Sequence, residues 1–210
     1  WLTAEATQQV IAALEAARPG CARFVGGCVR NTIMARPVDD IDIATQLAPE
    51  DVLKALKAAG IRAIPTGIEH GTVTAIVDHQ PFEITSLRRD VETDGRRAVV
   101  AFTEDWGEDA QRRDFRLNAL YAAPNGEIFD LVGGGYEDAM AGRVIFIGDG
   151  DQRLREDYLR ILRFFRFNAW YGAGIDAEGL DACERQRGGL AKIAKERTWK
   201  EFKKLLAAEM

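Results

Sequence analysis

The sequence lacks several features that would place it in a common class of protein. Its three cysteines, Cys21, Cys28 and Cys183, show no C-x-x-C spacing, so neither a disulfide framework nor a structural zinc site is indicated, and we expect reduced thiols. No apolar run approaches the roughly 20 residues that span a bilayer, and the first residues do not resemble a signal peptide. The patterns G-x-G-x-x-G and G-x-x-x-x-G-K-[ST] are absent, which disfavours Rossmann and Walker-type folds. The default expectation is a cytoplasmic protein.

An excess of positive charge is also lacking. Lys and Arg number 28 against 33 Asp and Glu, a formal net charge of -5. Phosphate contacts normally require an excess of cations, so a protein whose whole surface binds RNA is disfavoured. Basic residues nevertheless cluster at 153–166 and 192–204, and this distribution is compatible with a local basic strip.

Hydrophobic periodicity predicts an α+β region followed by helices, in a chain that is 47% hydrophobic and can bury a core. Helices are predicted at 3–17, 29–34 and 50–59, and strands at 22–25, 41–44, 72–77, 82–87 and 127–131. The polar stretch 89–109 predicts a mobile excursion, and the pattern is helical from 151 onward. We expect a catalytic domain at 1–148 and a helical segment at 149–210.

Acidic residues on two of the predicted strands are the strongest candidates for chemistry. Period-two alternation at 41–44 places Asp40 and Asp42 on the same face of one strand. Glu83 supplies a third carboxylate if its strand lies beside the first. Hard divalent cations prefer oxygen ligands, and a magnesium pair here could activate an RNA 3′-hydroxyl and steady a pyrophosphate leaving group. In an arbitrary sequence, a D-x-D pair on a strand more often faces solvent without binding a metal. The assignment of a metal site to Asp40 and Asp42 therefore depends on the other motifs in the sequence.

A glycine turn precedes these acids. Gly26-Gly27 follows a predicted strand and begins a predicted helix, where backbone N–H groups can approach triphosphate oxygens. Arg30 adds positive charge one turn later. A glycine pair alone is usually a structural turn, so its value comes from the combination with the acids.

Segments in a fixed order together resemble the class II tRNA nucleotidyltransferases, the CCA-adding enzymes and bacterial poly(A) polymerases of the polymerase-beta superfamily. The segments are 26–30 with 40–45, then 112–119, 156–163, and 195–197 with Glu201. One departure is Asn31, where the family commonly has Asp, which puts any metal or ribose contact of that carboxylate in doubt. The stretch at 66–72 resembles CCA-adding members, and 89–109 resembles the loop of members that add adenosine.

The resemblance implies a head with a short mixed β-sheet flanked by helices, then an all-α neck, with family members continuing into body and tail regions. It implies Mg²⁺ held by Asp40 and Asp42 with Glu83 as a further catalytic residue, CTP and ATP as substrates, and a tRNA 3′ end as acceptor. The implied nucleotide-binding residues are Gly26, Gly27, Arg30, Arg113, Asp114, Asn118, Asp157, Arg160 and Arg163. Among these, Arg113 orients the pair that selects the base, Arg163 binds triphosphate, and Asp114 and Asn118 brace the site or contact ribose.

Base choice is predicted to depend on Asp157 and Arg160, which lie three residues apart on one predicted helix and therefore on one face of it. Cytosine and adenine each present an amino donor beside a ring-nitrogen acceptor, whereas uracil and guanine present a carbonyl beside an N–H. An Asp acceptor and an Arg donor therefore fit CTP and ATP, and each good bidentate contact is worth about 1–3 kcal/mol of discrimination. The plain alternative is a surface salt bridge.

Several alternatives stay open from the sequence alone. A poly(A) polymerase and an A-only or CC-only tRNA enzyme share the same motifs. A catalytically silent RNA- or nucleotide-binding module is the rival from another class, and the intact Asp40, Asp42 and Glu83 speak against it. The oligomeric state is not determined by any of these patterns.

Overall fold

The computed structural model describes residues 1–90 and 100–208. Its contacts divide into two compact units, the first comprising Trp1–Arg112 with Ala119–Leu131 and the second Arg113–Asn118 with Val132–Met210. The predicted functional boundary at residue 148 stays a prediction. The described helices are all too short or too polar to traverse a bilayer.

A seven-stranded mixed sheet forms the centre of the first unit, with strand order β3-β4-β5-β2-β1-β8-β9. The pairing of β2 with β5 is parallel and the other neighbours are antiparallel, which confirms the predicted α+β class with a mixed sheet. The strands are β1 (Ala22–Val25), β2 (Ile41–Thr45), β3 (Arg62–Gly67), β4 (Thr72–Val77), β5 (Gln80–Ser86), β8 (Leu120–Ala122) and β9 (Ile128–Asp130). A separate ribbon pairs β6 (Arg88–Asp90) with β7 (Val100–Phe102).

Four helices belong to the first unit: α1 (Glu5–Ala17), α2 (Gly27–Ile33), α3 (Pro49–Ala58) and α4 (Trp106–Gln111). Helices α1 and α3 contact each other and the sheet, and both bury an apolar stripe that includes Leu14 and Leu56, each 0% exposed. Ile43 and Ile84, also 0% exposed, belong to the buried face of the sheet. This burial leaves the alternate residues of β2 and β5 on the opposite face.

The predicted strands 72–77 and 82–87 correspond to β4 and β5, which form an antiparallel hairpin. Only Asp78 and His79 connect the strands, with φ of 48° and 65°. Left-handed backbone at both central residues is the type I′ geometry that matches the twist of a two-residue hairpin. Strand β3 was not predicted, because Pro65 and its polar neighbours hide an edge strand that β4 completes through pairing.

The prediction of a mobile polar excursion at 89–109 is wrong for its described part. Residues 91–99 lie outside the described residues, but α4 follows β7 and carries Asp109, which is 1% exposed. The Asp109 carboxylate accepts hydrogen bonds from Tyr121 Oη at 2.7 Å and from Arg112 Nε at 2.8 Å, and also from the backbone N–H of Arg88 at 3.2 Å. A buried charge with these partners fastens α4 to the sheet and to the start of β6.

The second unit is helical, with α5 (Gly135–Ala141), α6 (Gly150–Glu156), α7 (Leu159–Tyr171), α8 (Ala177–Gln186) and α9 (Lys195–Leu206). Phe115 packs against Phe146, Phe164 and Phe167 with ring centroids 4.9, 6.3 and 5.2 Å away. These rings are at most 5% exposed, which confirms that the aromatic residues at 164 and 167 belong to a core rather than to an RNA-stacking surface.

Candidate active site

The two strands that carry the predicted acids are direct neighbours. Asp42 on β2 lies opposite Glu83 on β5 in the parallel register, so the condition set for Glu83 by the sequence is met. Asp40 lies one residue before β2 and two before Asp42, which places it on the same side of the strand. Ile41, which lies between Asp40 and Asp42, faces the core and is 3% exposed. The backbone therefore brings three carboxylate-bearing positions to one patch of the sheet.

These positions suit a divalent cation by spacing and by chemistry. Neighbouring strands lie about 4.8 Å apart, and Mg²⁺–oxygen distances are about 2.1 Å, so carboxylates on adjacent strands can reach one ion by side-chain rotation. Within 1–90 and 100–208, no three His, Cys, Asp or Glu side chains are gathered closely enough to enclose an ion. The support for a metal site here is the strand register that places Asp42 beside Glu83. The metal-binding role of Asp40 and Asp42 stays a prediction.

The glycine pair lies at the end of β1, next to β2. Gly26 has φ 70° and ψ -116°, a conformation that residues with a Cβ rarely adopt, and its N–H donates to the carbonyl of Leu120 at 3.1 Å. Gly27 is different, because a Cβ there would meet only Arg30 Nη2, at 3.9 Å. The fold thus requires glycine at 26, whereas a Cβ at 27 would make only an ordinary van der Waals contact at the start of α2, and phosphate binding at this turn stays a prediction.

Arg30 is held in place by its neighbour in the chain. It is 5% exposed, and its Nε and Nη2 donate to Asn31 Oδ1 at 3.1 and 2.7 Å. Asn31 Nδ2 in turn donates to the carbonyl of Pro37 at 2.7 Å, on the segment that leads to Asp40. An amide can accept and donate at once, whereas the aspartate common in the resembled family can only accept when ionised. Asn31 therefore links the arginine to the acidic segment.

Cys28 lies between the glycine turn and the acids but is unsuited to nucleophilic or ligand chemistry. Its Sγ lies 3.5 Å from the Val25 carbonyl and 3.7 Å from that of Asp42. Burial raises the pKa of the Cys28 thiol to about 11, so the group is neutral near pH 7. All three cysteines are free and buried, which confirms the expectation of reduced thiols.

Three other predicted residues meet in the second unit. Asp114, 7% exposed, accepts from Asn118 Nδ2 at 3.2 Å and from Arg163 Nε and Nη2 at 2.7 and 2.6 Å. Burial disfavours the charged form of Asp114, but Arg163, Asn118 and the Phe115 N–H outweigh it and lower its pKa. The network supports the bracing role predicted for Asp114 and Asn118, and triphosphate binding by Arg163 stays a prediction. Arg113 directly precedes this network and is partly buried.

The prediction that Asp157 and Arg160 share one helix is wrong. Asp157 has φ -153° and ψ 104°, so α6 ends there and α7 begins at Leu159. The Asp157 carboxylate accepts from the Leu159 N–H at 3.1 Å and from Arg197 Nη2 at 2.7 Å, while Arg160 Nη1 lies 2.6 Å from Glu156 Oε2. The Leu159 contact satisfies a backbone N–H at the start of the new helix, and apolar periodicity continuing through the break hid it from the sequence.

Two residues of α9, Arg197 and Glu201, form ion pairs with Asp157 and Arg166, and the sequence analysis gave neither of them a role. Arg197 pairs with Asp157, and Glu201, 6% exposed, accepts from Arg166 Nε at 2.5 Å. The only signal for them was the similarity of 195–197 and Glu201 to a family motif, since the basic cluster at 192–204 indicated only a local basic strip. Their partners are 35 and 40 residues away along the chain, beyond the reach of local patterns.

Comparisons with known proteins agree with this arrangement. A family model described as Poly A polymerase head domain matches residues 22–145. CCA tRNA nucleotidyltransferase 1, mitochondrial, of Homo sapiens is 45% identical over 191 residues, which are 88% of this chain and 43% of that protein. The CCA-adding enzyme of Lactiplantibacillus plantarum is 41% identical over 208 residues, 98% of this chain and 49% of the enzyme.

A solved structure shows the same fold. The crystal structure of the Bacillus stearothermophilus CCA-adding enzyme in complex with CTP superposes with a TM-score of 0.86 at 32% identity, covering 98% of this chain and 50% of that one. The chain therefore spans about half the length of the relatives it matches.

The Asp114–Arg163 pair predicts a pH-dependent contribution to stability. Asp114→Asn keeps the shape but removes the charge, and we expect it to lower the free energy of unfolding by about 2–3 kcal/mol at pH 7. Because the folded pKa is lowered, this difference should stay constant from about pH 5 to 8. It should shrink as the pH falls below about 3.9, the ordinary value, and through the folded pKa.

Urea unfolding of both proteins across this pH range measures the difference. Asp181→Asn, an exposed change on α8, serves as the matched control and should stay within about 0.5 kcal/mol of the wild type. Equal stability of Asp114→Asn and the wild type at pH 7 would contradict the assigned network.

Proposed function

This chain belongs to the poly(A) polymerase head domain family, and we propose that it adds C and A from CTP and ATP to the 3′ end of tRNA without a template, releasing pyrophosphate. The observation that carries the proposal is the pairing of Asp42 with Glu83 beside the Gly26-Gly27 turn. Relatives more than 40% identical are named CCA tRNA nucleotidyltransferase 1, mitochondrial, and CCA-adding enzyme, and the similar structure is named as a complex with CTP. Nucleotidyl transfer needs acids and a phosphate cradle side by side.

Magnesium fits the donor set of this site. Asp40 and Asp42 would hold it, because both offer carboxylate oxygens on the same side of one strand, and Glu83 provides a third acid beside them. When bound, Mg²⁺ supplies Lewis acidity that favours the ionised 3′-hydroxyl and neutralises charge on the phosphates. Glu83 is exposed and accepts hydrogen bonds, which suits it to orient the 3′-hydroxyl of the acceptor.

The phosphate groups belong, in this proposal, at the glycine turn. Gly27, which has no side chain, admits a phosphate to the backbone, and Arg30 contributes a cation whose direction Asn31 fixes. An arginine pre-oriented by a neighbour loses little side-chain freedom when a ligand binds. The triphosphate would therefore lie on the β1 side of the acids.

Base selection is proposed for Asp157 and Arg160, although Asp157 lies between α6 and α7 and Arg160 lies on α7. Asp157 already accepts from Leu159 and Arg197, but a carboxylate has about four acceptor sites and can also take the amino group of cytosine or adenine. Arg160 is steadied by Glu156, and the five donors of a guanidinium can also serve the ring nitrogen. We propose that Arg197, whose Nη2 lies 2.7 Å from Asp157 Oδ2, fixes the orientation of the Asp157 carboxylate toward the base.

Poly(A) addition is the second candidate, and the description of the matching family model favours it. A-only and CC-only addition use the same groups. The 66–72 segment, which includes the 3₁₀ turn Ile68–His70, resembles the CCA-adding branch. A cytoplasmic location is proposed from the sequence. The relatives of Homo sapiens, Danio rerio and Mus musculus, which are 45%, 43% and 43% identical to this chain, are named mitochondrial.

The function is tested by incubating the protein with tRNA that lacks its CCA end, with Mg²⁺ and with CTP, ATP or both, and sequencing the products. We expect C-C-A with both nucleotides and two C residues with CTP alone. Asp40→Ala and Asp42→Ala should reduce transfer by at least about 10³-fold, because they remove the oxygen ligands of the metal.

Circular dichroism and thermal unfolding of the two variants provide the control, and both should resemble the wild type because the acids are exposed or partly buried. Long A tracts with ATP alone would favour poly(A) polymerase. Absence of any product from the wild type, or undiminished transfer by either variant, would refute the proposal.

Nucleotide selectivity provides a separate prediction. Asp157→Ala combined with Arg160→Ala should reduce the preference for CTP and ATP over UTP and GTP by about tenfold or more, since one bidentate contact contributes about 1–3 kcal/mol. The ratio of kcat/KM values across the four nucleotides measures it. Glu184→Ala with Arg187→Ala removes an exposed i,i+3 pair as the matched control and should leave the ratio unchanged. An unaltered ratio in the folded double variant would show that the base is read elsewhere.

A further inference from the structure

The face of the sheet that carries the acids continues beyond them onto β4 and β3. In the antiparallel register, Glu83 pairs with Thr74, and Thr85 pairs with Thr72. Directly opposed residues share a face, so both threonines lie on the same side as Asp42 and Glu83. On β3, Ile64 pairs with Thr74 and Arg62 pairs with Ile76. One row of residues therefore runs from Asp42 through Glu83 and Thr74 to the sheet edge.

This face is open, in contrast to the other side of the same strands. Val73 and Ala75 are 0% exposed, whereas Thr72 and Thr74 are partly exposed and Glu83 is exposed. The threonine hydroxyls already form short contacts: Thr72 Oγ1 lies 3.2 Å from Thr85 Oγ1, and Thr74 Oγ1 lies 2.9 Å from Thr66 Oγ1. Each hydroxyl retains further donor or acceptor capacity.

The chemistry of transfer decides which substrate meets this face. In phosphoryl transfer the attacking and leaving oxygens are roughly in line, on opposite sides of the phosphorus. The triphosphate is placed at Gly26-Gly27, on the β1 side of β2. The attacking 3′-hydroxyl must then approach from the other side of β2, where β5 and β4 lie.

We propose that the open face of β4 and β5, defined by Thr72, Thr74 and Thr85 with Arg62 at its edge, binds the 3′-terminal nucleotides of the acceptor RNA. This inference rests on the proposed function. It assigns to the acceptor a surface distinct from the groups that hold the incoming nucleotide.

The side chains of this face match an RNA end better than a second nucleoside triphosphate. A ribose 2′-hydroxyl is both donor and acceptor, as is a threonine hydroxyl, and the pair can satisfy each other. Ile64, 36% exposed, offers apolar contact for a ribose or base. Arg62 is the only cation on the paired residues of β3 and β4, enough for one phosphate but not for a triphosphate.

The test uses the double variant Thr72→Val with Thr74→Val, which keeps β-branched side chains and removes only hydroxyls. The KM for tRNA lacking its CCA end should rise about tenfold, and the dissociation constant for CTP should not change. Replacing the terminal 2′-hydroxyl of the tRNA by hydrogen should weaken binding to the wild type but not to the variant, since the two hydroxyls form one contact.

The control for the threonine double variant is Thr3→Val, an exposed threonine outside the sheet, which should leave the KM for tRNA unchanged.

A second test uses Arg62→Gln, which should reduce the slope of log affinity for tRNA against log salt by about 0.7, the value for one phosphate contact on a single strand. Its control is Lys57→Gln on α3, which should leave that slope unchanged.

The outcomes separate this inference from the proposed function. If the wild type adds no nucleotide to tRNA, the proposed function fails, and the acceptor surface fails with it. If the wild type is active but the double valine variant has an unchanged KM for tRNA and the same response to the 2′-deoxy end, the acceptor surface alone is refuted.

Discussion

The parallel pairing of β2 with β5 is the contact on which the rest of the candidate site depends. It places Asp42 beside Glu83, and the burial of Ile43 and Ile84 on the opposite face holds that register. A slip by one residue would turn every acid into the core and every isoleucine to solvent. The hydrophobic core therefore holds Asp42 and Glu83 on neighbouring strands although their like charges repel, and a divalent cation is a partner that suits such a pair.

The central part of the arrangement could be predicted from the sequence because it depends on short-range rules. Period-two alternation assigns Asp40 and Asp42 to one face, and a glycine pair between a predicted strand and a predicted helix indicates the turn at Gly26. Features set by partners distant in the chain could not be predicted this way. Strand β3 exists because β4 pairs with it, and the buried Asp109 is stabilised by hydrogen bonds from Tyr121 and from the Arg88 N–H. The pairing of Asp157 with Arg197 was missed for the same reason, since Arg197 is 40 residues away.

The residues assigned to nucleotide binding divide between two compact units with different physical characters. The first unit presents acids, open glycine backbone and hydroxyls on a rigid sheet, which suits metal and phosphate chemistry. The second presents arginines and acids held in ion-pair networks on short helices, with Asp114 joined to Arg163 and Asp157 joined to Arg197. Groups fixed in this way lose little freedom on binding, so they are suited to discriminating between bases by the direction of their donors and acceptors.

The central claim is that Asp40 and Asp42 bind the catalytic cation beside the glycine turn. Crystals grown with CTP and Mn²⁺ in place of Mg²⁺ test it directly, because anomalous scattering identifies the position of manganese. We predict a peak about 2.0–2.3 Å from carboxylate oxygens of both Asp40 and Asp42, with the CTP phosphates on the Gly27 side. Bound CTP with manganese coordinated elsewhere, and no peak at these two carboxylates, would contradict the account.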